Sequence, residues 1–253
     1  MKAVAACIHV VLLGCLITQF LGCASVNSSS MESRMEAVQR IHDPEELDQL
    51  ALTGIYADVR AFAINKISDQ GVLTKIAYEE KDNNLRGQAA KRIVSEQVLA
   101  QIVKTDSSAE MRSQSFERIC DQALIKMIAK ESTDSSIRVL AIPKINDPTF
   151  LGTVALEDTD ASVRLCALKK VTDSEVLSRV ILTESRTETE ISIALTRIED
   201  RKKLKERNIQ ARLLVLLEKT ESNELQQLIV QELSDVSLIL EALPKCWTVK
   251  RLC

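Results

Sequence analysis

Guanidinium groups recur along the sequence at a fixed interval. Arginine occurs every 26 residues, at Arg34, Arg60, Arg86, Arg112, Arg138 and Arg164. A row of such groups could bind phosphate or carboxylate polymers, because each guanidinium presents a planar fork of donors to an anion. On a helical wheel, however, each arginine borders the apolar face of its helix. We therefore expect this arginine ladder to be structural and to pair with aspartates between helices, such as Asp106 and Asp158, six residues upstream of Arg112 and Arg164.

Two further basic features could meet anionic ligands. A second row follows six residues after each ladder arginine, at Arg40, Lys66, Arg92, Arg118, Lys144 and Lys170. We interpret this row as a solvated edge whose aliphatic stems lie along the core, and a ligand-facing stripe is the alternative. The basic segment 201–207 could touch anionic headgroups or form a solvated helix face. The net charge of −3 gives no general reason to expect a nucleic-acid partner.

The residue types that support catalysis are scarce. His42 is the one histidine beyond the apolar amino terminus, so neither a histidine-based triad nor a metal cluster of several histidines can form. The sequence contains no glycine-rich phosphate loop and no nucleophile elbow. Cys120 and Cys166 are expected to be core or boundary residues, whereas Cys246 and Cys253 could form a disulfide in an oxidising compartment. We predict no catalytic residue, no metal and no cofactor, and hence no enzyme.

The fixed interval between the ladder arginines implies a repeating structural unit that places one arginine in each copy. With the residue before each arginine as position 1, small residues occupy position 5, at Ala37, Ala63, Ala89, Ser115, Ala141 and Ala167. Position 9 is β-branched, at Ile41, Ile67, Ile93, Ile119, Ile145 and Val171. Positions 1, 5 and 9 share one face of a first helix. A capping residue at position 11 then begins a second helix with apolar positions 15, 18 and 19. A period of this length indicates stacked helical units.

The repeat changes register after residue 173. Ala194, Ile198 and Asp200 continue the pattern after a step of 27 residues, and Leu233 resumes it only after a step of 35, with the additional residues around the basic segment 201–207. Pro143 should end or kink the first helix in which it lies. We predict an all-α superhelix of about seven to eight short helical pairs over residues 34–243, followed by a tail at 244–253.

The repeat resembles known solenoid families. Residues 44–173 resemble HEAT repeats, with the clearest unit at Leu151, Val154, Ala155, Asp158, Val163, Arg164, Ala167 and Lys170. They are also similar to the leucine-rich-variant repeat, in which an α-helix alternates with a 3₁₀-helix. The resemblance implies a scaffold that presents a long surface to partners. It also allows an enzyme or enzyme accessory, like the lyase-like HEAT proteins, with a site in a concave groove.

The amino terminus resembles that of bacterial lipoproteins. Met1 and Lys2 precede an apolar run to Leu21, which is typical of a signal peptide. The run ends at Phe20-Leu21-Gly22-Cys23, which is similar to a lipobox, and the alternative is an uncleaved membrane helix. The resemblance implies cleavage after residue 22 and acylation of Cys23, and Ala24 implies an outer-membrane destination. Residues 23–33 are polar and small, so we expect a flexible tether.

Together these features predict a lipid-anchored protein of the cell envelope that faces the periplasm. We expect it to bind another protein or an envelope polymer and to contact the membrane through its amino-terminal lipid. The enzyme alternative predicts convergent polar groups in a pocket that crosses repeats. A structural spacer without a specific ligand is a third reading. The sequence does not determine the oligomeric state.

Overall fold

A computed structural model describes residues 26–233 of the chain. The predicted signal peptide (1–22), the predicted acylation site Cys23, the carboxyl-terminal tail (244–253) and the predicted pair Cys246 and Cys253 lie outside the described residues. Within residues 26–233 the structure contains sixteen α-helices, one 3₁₀ turn and no strand. The prediction of an all-α helical-repeat fold is thus confirmed.

The chain divides into two compact units, with the boundary between Asp121 and Gln122. The first unit contains α1 (Met31–Arg40), α2 (Pro44–Thr53), α3 (Ala57–Lys66), α4 (Gln70–Glu79), α5 (Asn83–Arg92), α6 (Glu96–Thr105) and α7 (Ala109–Glu117). The first helices of its repeats, α1, α3, α5 and α7, pack side by side in sequence order, and the second helices α2, α4 and α6 do the same. Each second helix also packs against the first helix that follows it.

The second unit begins at Gln122. It contains α8 (Gln122–Glu131), α9 (Ser135–Ala141), α10 (Pro148–Glu157), α11 (Ala161–Leu168), α12 (Ser174–Leu182), α13 (Glu188–Arg197), α14 (Arg201–Leu204), α15 (Arg207–Lys219) and α16 (Asn223–Glu232). The first helices α9, α11, α13 and α16 pack in order, and the second helices α10, α12 and α15 form a second row. Neighbour-to-neighbour packing is how a repeat array buries apolar faces that short helices cannot bury alone.

Short polar side chains start the helices where the repeat predicts them. At position 11 the N-caps Asp69, Ser95, Asp147 and Asp173 accept hydrogen bonds from main-chain N–H groups of the first turn. Asp82, Asp134 and Asp160 do the same for first helices. Asp43 makes no side-chain capping bond, although Pro44 occupies the first turn as expected. These caps satisfy N–H groups that a helix leaves unpaired at its start.

The interior of each unit consists of the predicted apolar positions. All six residues at position 5 and all six at position 9 are buried. Alanine at position 5 allows neighbouring helices to approach closely, and the branched residue at position 9 fills the space where the first helix ends. The core therefore follows directly from the periodicity of the sequence.

Two irregularities occur in the second unit, and both have a local cause. Helix α9 stops at Ala141, and the 3₁₀ turn Ile142–Lys144 follows, because Pro143 cannot donate a main-chain hydrogen bond within a helix. The basic segment forms the short helix α14, after which α15 packs on α12 and α16 packs on α13. The step of 35 residues is thus absorbed by an insertion between a first and a second helix.

The helical part begins before the boundary predicted at residue 34. Helix α1 starts at Met31, and Ser30 caps it by accepting a hydrogen bond from the Ser33 N–H group at 3.5 Å. Val26 is buried, and the Ser28 carbonyl accepts a hydrogen bond from the Arg34 guanidinium at 2.7 Å. Residues 26–30 thus contact the first unit, within the segment 23–33 for which the sequence predicts a tether. Between residues 26 and 233 no helix has the length and apolar character that crossing a bilayer requires.

Candidate functional site

The ladder arginines bind two kinds of acceptor, and Arg86 and Arg138 show the regular arrangement. Arg86 donates to the carboxylate of Asp106 at 3.1 and 3.3 Å, and Arg138 donates to that of Asp158 at 2.9 and 2.8 Å. Each carboxylate follows its arginine by 20 residues, and all four side chains are buried to about nine-tenths. A planar guanidinium held by both carboxylate oxygens has a fixed orientation. Hydrogen bonding to Asp158 raises the pKa of Arg138 despite its burial.

The same arginines also bind the main chain just before their own helix. The Nη1 of Arg86 donates to the carbonyl oxygen of Glu80, and that of Arg138 donates to Ser132, in each case six residues upstream at 3.0 and 2.8 Å. The loops between a second helix and the next first helix carry carbonyl groups that no helix satisfies. Each arginine thus joins the loop before its own helix to the acidic side chain one repeat later.

This geometry corrects the pairing predicted from sequence. Asp106 and Asp158 were expected to bind Arg112 and Arg164 through their carboxylates. Arg112 and Arg164 instead donate to the main-chain carbonyl oxygens of these aspartates, at 2.9 and 3.0 Å. The carboxylates bind the arginine of the preceding repeat, because the side chain at this position points toward the helix that lies 20 residues earlier.

Three other ladder arginines bind a carboxylate that differs from this arrangement in its position or in its residue type. Arg60 binds Glu80 at 3.0 Å, again 20 residues later. Arg34 lies 20 residues before Gly54, which has no side chain, and it binds Asp58 at 2.5 Å instead. Arg164 binds Glu190, 26 residues later, at 2.7 Å. A buried guanidinium without a carboxylate costs free energy. Arg34 therefore binds another acid where the repeat has Gly54, and Arg164 binds the buried Glu190 although the exposed Glu184 lies at the regular spacing.

Glu190 is the most buried acid in the described part of the chain. Its side chain is 0% exposed and accepts hydrogen bonds from Arg164 at 2.7 Å and from Arg186 at 3.2 Å. It also completes a capping box with Thr187, whose main-chain N–H donates to it at 2.9 Å. Burial raises the pKa of the Glu190 carboxyl, but the hydrogen bonds from Arg164 and Thr187 outweigh burial and lower the pKa to about 2. Sequence reasoning missed this residue, since it lies 26 residues after Arg164 rather than at the regular spacing of 20.

The second basic row is not the solvated edge that the sequence indicated. The Nζ of Lys66 donates to the carbonyl oxygens of Val38, Gln39 and Ile41 at 2.6 to 3.0 Å, where α1 ends. Lys170 binds the carbonyls of Ile142, Pro143 and Ile145 in the same way. A cation at the carboxyl end of a helix satisfies unpaired carbonyls and opposes the negative end of the helix dipole.

Other members of the basic row follow the same rule. Arg92 binds the last carbonyls of α3, and Arg118 binds those of α5, each reaching back 25 to 28 residues. Arg40 is exposed and pairs with Glu36 in its own helix. Lys144 is half-buried. The signal that could have revealed these contacts was the fixed spacing of the row itself, because a solvated edge does not require a basic residue at one position of each repeat.

A further polar side chain at position 12 fastens successive repeats from the other side. Gln70 donates to the Arg92 carbonyl at 3.3 Å and accepts from the Val94 N–H at 3.0 Å. Glu96 accepts from the N–H groups of Cys120 and Asp121 at 3.0 and 2.8 Å. Main-chain groups at the turns after α5 and α7 are thus bound by a side chain of the preceding repeat. These polar side chains therefore hold successive repeats together.

A hollow lies on the surface of each unit in the described part of the chain. In the first unit, a hollow of about 220 Å³ lies between α4 and α6 and is lined by Tyr78, Arg86, Thr105, Asp106 and Ser107, among others. Its two charged groups bind each other. In the second unit, an open hollow of about 490 Å³ lies beside α16 and is lined by Leu217, Val230 and glutamine side chains.

The remaining candidate residues occupy separate places. His42 is exposed after α1, Cys120 is an exposed free thiol, and Cys166 is half-buried on α11, where burial raises the pKa of its thiol. Within the described residues no three histidine, cysteine or acidic side chains are grouped as a metal site would need. In the basic segment, Arg201 binds Glu232 at 2.6 Å and Lys203 binds Glu175 at 2.7 Å.

An outward apolar strip lies on the first helices of the second unit. Positions 3 and 4 face away from the core, and on α9, α11 and α13 they are mostly apolar, at Val139, Leu140, Leu165, Cys166 and Ile193. Leu140 is 45% exposed, and the other four are half-buried. The equivalent positions on α5 and α7 of the first unit are Gly87, Gln88, Ser113 and Gln114. The equivalent positions on α1 and α3 include Met35, Ala61 and Phe62, so the first unit is apolar here on two adjacent first helices and the second unit on three.

Comparisons with known proteins identify no family for this chain. No protein-family model matches the chain, and no curated protein matches it. The chain is similar to the crystal structure of an engineered protein at 19% identity and a TM-score of 0.31, covering 87% of this chain and 95% of that one. It is also similar to a computationally designed self-assembling cyclic homooligomer at 16% identity and a TM-score of 0.12, with 90% of each chain covered. Both TM-scores are too low to support an argument about fold or function.

Proposed function

We propose that this protein is a HEAT-like binding module, held at the bacterial envelope by a lipid on Cys23, that presents a surface to a protein partner. It faces the periplasm from the outer membrane and performs no catalysis of its own. The observation that carries this proposal is the use of its polar groups: the ladder arginines and most of the second basic row bind acids and carbonyls of the repeat itself. Such groups are not available to a substrate.

The surface that supports binding is the outward apolar strip of the second unit. Half-buried side chains on three adjacent first helices form a face that a partner could cover, with Leu140 the most exposed of them. Apolar surface that is contiguous across elements is typical of protein interaction sites. The strip favours a protein partner over a charged envelope polymer, because no basic ladder residue faces solvent there.

The enzyme alternative depends on the hollow between α4 and α6. It contains Tyr78 and hydroxyl groups beside Arg86 and Asp106, which is the type of convergent polar group that an active site uses. However, the guanidinium and the carboxylate already bind each other in bidentate geometry, so neither is free to bind or protonate a substrate. A binding module is therefore the function that this geometry supports best.

Site-specific photocrosslinking in cells tests the proposal. A benzophenone amino acid at Leu140 should give a covalent protein adduct, and the same amino acid at Gln114, on the corresponding first-helix position of the first unit, should not. The adduct from position 140 should disappear when Leu165→Asp is introduced on the neighbouring helix. Equal adducts from both positions, or an adduct that survives Leu165→Asp, would contradict binding at this strip.

A further inference from the structure

The first helices of the first unit begin at a common edge. Arg34 in the first turn of α1 binds Asp58 in the first turn of α3 at 2.5 Å. Lys66 at the end of α3 binds the carbonyls at the end of α1. Contacts at both ends in this register require α1 and α3 to run parallel, so their amino termini lie at one edge of the unit. Their carboxyl termini lie about 15 Å away, at the opposite edge.

The chain enters the first unit at the edge where these helices begin. Arg34 binds the Ser28 carbonyl at 2.7 Å, and its guanidinium carbon lies 4.2 Å from the centre of the Tyr56 ring. The segment that leads into α1 and the loop that leads into α3 are therefore close neighbours. Cys23 precedes the buried Val26 by three residues, a span of at most about 10 Å. A lipid on Cys23 would thus hold this edge against the bilayer.

The residues just before the first helices, which lie at this edge, can be compared from repeat to repeat. The two residues before each first helix are polar in the later repeats, at Lys81-Asp82, Ser107-Ser108, Thr133-Asp134 and Thr159-Asp160. Before α1 they are also polar, at Ser29 and Ser30, whereas before α3 they are Ile55 and Tyr56. Tyr56 occupies the N-cap of α3 without making a side-chain capping bond, so this helix lacks the acceptor that its equivalents have.

Burial does not explain these apolar residues. Ile55 is 76% exposed, Met31 in the first turn of α1 is 52% exposed, and Tyr56 is 37% exposed. The contact with Arg34 gives Tyr56 a structural role, whereas the Ile55 side chain is largely in solvent. A capping residue has been replaced by apolar side chains at the one edge that the anchor would bring to a membrane. Departures from the local pattern without a structural gain are expected at functional sites.

We propose that Met31, Ile55 and Tyr56 insert into the headgroup region of the bilayer to which Cys23 is anchored, fixing the first unit with this edge toward the membrane. This inference rests on the lipid anchor of the proposed function. Tyrosine suits the position, because its ring and hydroxyl group match the boundary between acyl chains and water. The lipid surface then covers the side chains that the fold leaves exposed.

Fluorescence quenching in vesicles tests the inference on the full-length protein, produced in a bacterial host that processes lipoproteins. Trp247→Phe removes the chain's one tryptophan, and Ile55→Trp then places a single probe at the edge. Val94→Trp is the matched control, because Val94 is 77% exposed and follows the end of α5 at the opposite edge. The proteins are reconstituted in vesicles of phosphatidylethanolamine and phosphatidylglycerol with brominated acyl chains. Tyr56→Trp is a second probe, and thermal melting checks the fold of each variant.

The expected result is that bromine quenches the tryptophan at position 55 several-fold more than the one at position 94, with emission shifted to shorter wavelength. Mass spectrometry of the amino-terminal peptide establishes independently whether Cys23 is acylated. Equal quenching of both probes on an acylated protein would overturn this inference and leave the lipid anchor in place. A Cys23 without acyl chains would overturn the anchor and this inference together.

Discussion

Two neighbouring seams of the second unit, meaning the interfaces between successive first helices, pair their buried charges in different ways. Between α9 and α11, the carboxylate of Asp158 pairs with one arginine, Arg138, and Lys170 binds three carbonyls at the end of the preceding first helix. Between α11 and α13, where the repeat lengthens by one residue, Glu190 takes two arginines, and Arg197 covers the single carbonyl of Val171 at 3.0 Å. The regular seam distributes its polar contacts, whereas the shifted seam concentrates them on one carboxylate. The buried arginines thus remain paired where the repeat lengthens, but both of them depend on the carboxylate of Glu190.

The largest effect should come from removing the shared carboxylate. Glu190→Gln leaves two buried guanidinium groups without an anion, so we expect the free energy of unfolding to fall by about 3 to 5 kcal/mol. Asp158→Asn in the regular seam leaves one, and about 2 kcal/mol should be lost. Urea denaturation of both variants measures the difference. Glu188→Gln, an exposed neighbour on α13, is the control. Equal losses for the first two variants would remove the contrast between the seams.

The same carboxylate should make the shifted seam sensitive to acid. The pKa of Glu190 is lowered from 4.5 to about 2 in the folded protein, so its contribution to stability is complete above pH 5 and is lost as the pH falls through 2. The difference in unfolding free energy between the native protein and Glu190→Gln should therefore shrink progressively from pH 5 downward. Denaturation curves recorded at a series of pH values test this. A difference that stays constant between pH 5 and pH 2 would contradict the assignment.

The smallest effect should come from the contacts with main-chain carbonyls. Here the regular seam should lose more unfolding free energy than the shifted seam. Lys170→Met removes a cation from three carbonyls of the regular seam and should cost about 2 kcal/mol. Arg197→Met removes one main-chain contact of the shifted seam and should cost about 1 kcal/mol. Lys169→Met, at the exposed neighbouring position, is the control for loss of charge. Thermal melting of the three variants should rank them in this order.

The features that depend on neighbouring residues of one chain segment were predictable. The apolar positions 5 and 9, the caps at Asp69 and Asp147, and the end of α9 before Pro143 all follow from rules that act within a few residues. These predictions needed only the helical period and the chemistry of capping.

The partners of the basic residues were not predictable in the same way. The sequence shows Lys170 and Arg164 but not which carbonyls or acids lie beside them, because those groups are 20 to 28 residues distant. The expected link from Asp158 to Arg164 was wrong for this reason, since the carboxylate binds Arg138. Glu190 was missed, because its partner relation exists only after the shifted repeat has packed.

By itself the sequence determined a repeating two-helix unit with its core, its caps and the interval at which arginine returns. These properties are local, and each is specified by side chains on one helix and its adjoining turn. Only the tertiary structure decided which groups meet at the seams, which apolar side chains remain exposed at Ile55 and Leu140, and where the chain joins the first unit. The physical reason is that hydrogen bonding and burial between repeats depend on how stacked helices are oriented, and one period of the sequence does not contain that orientation.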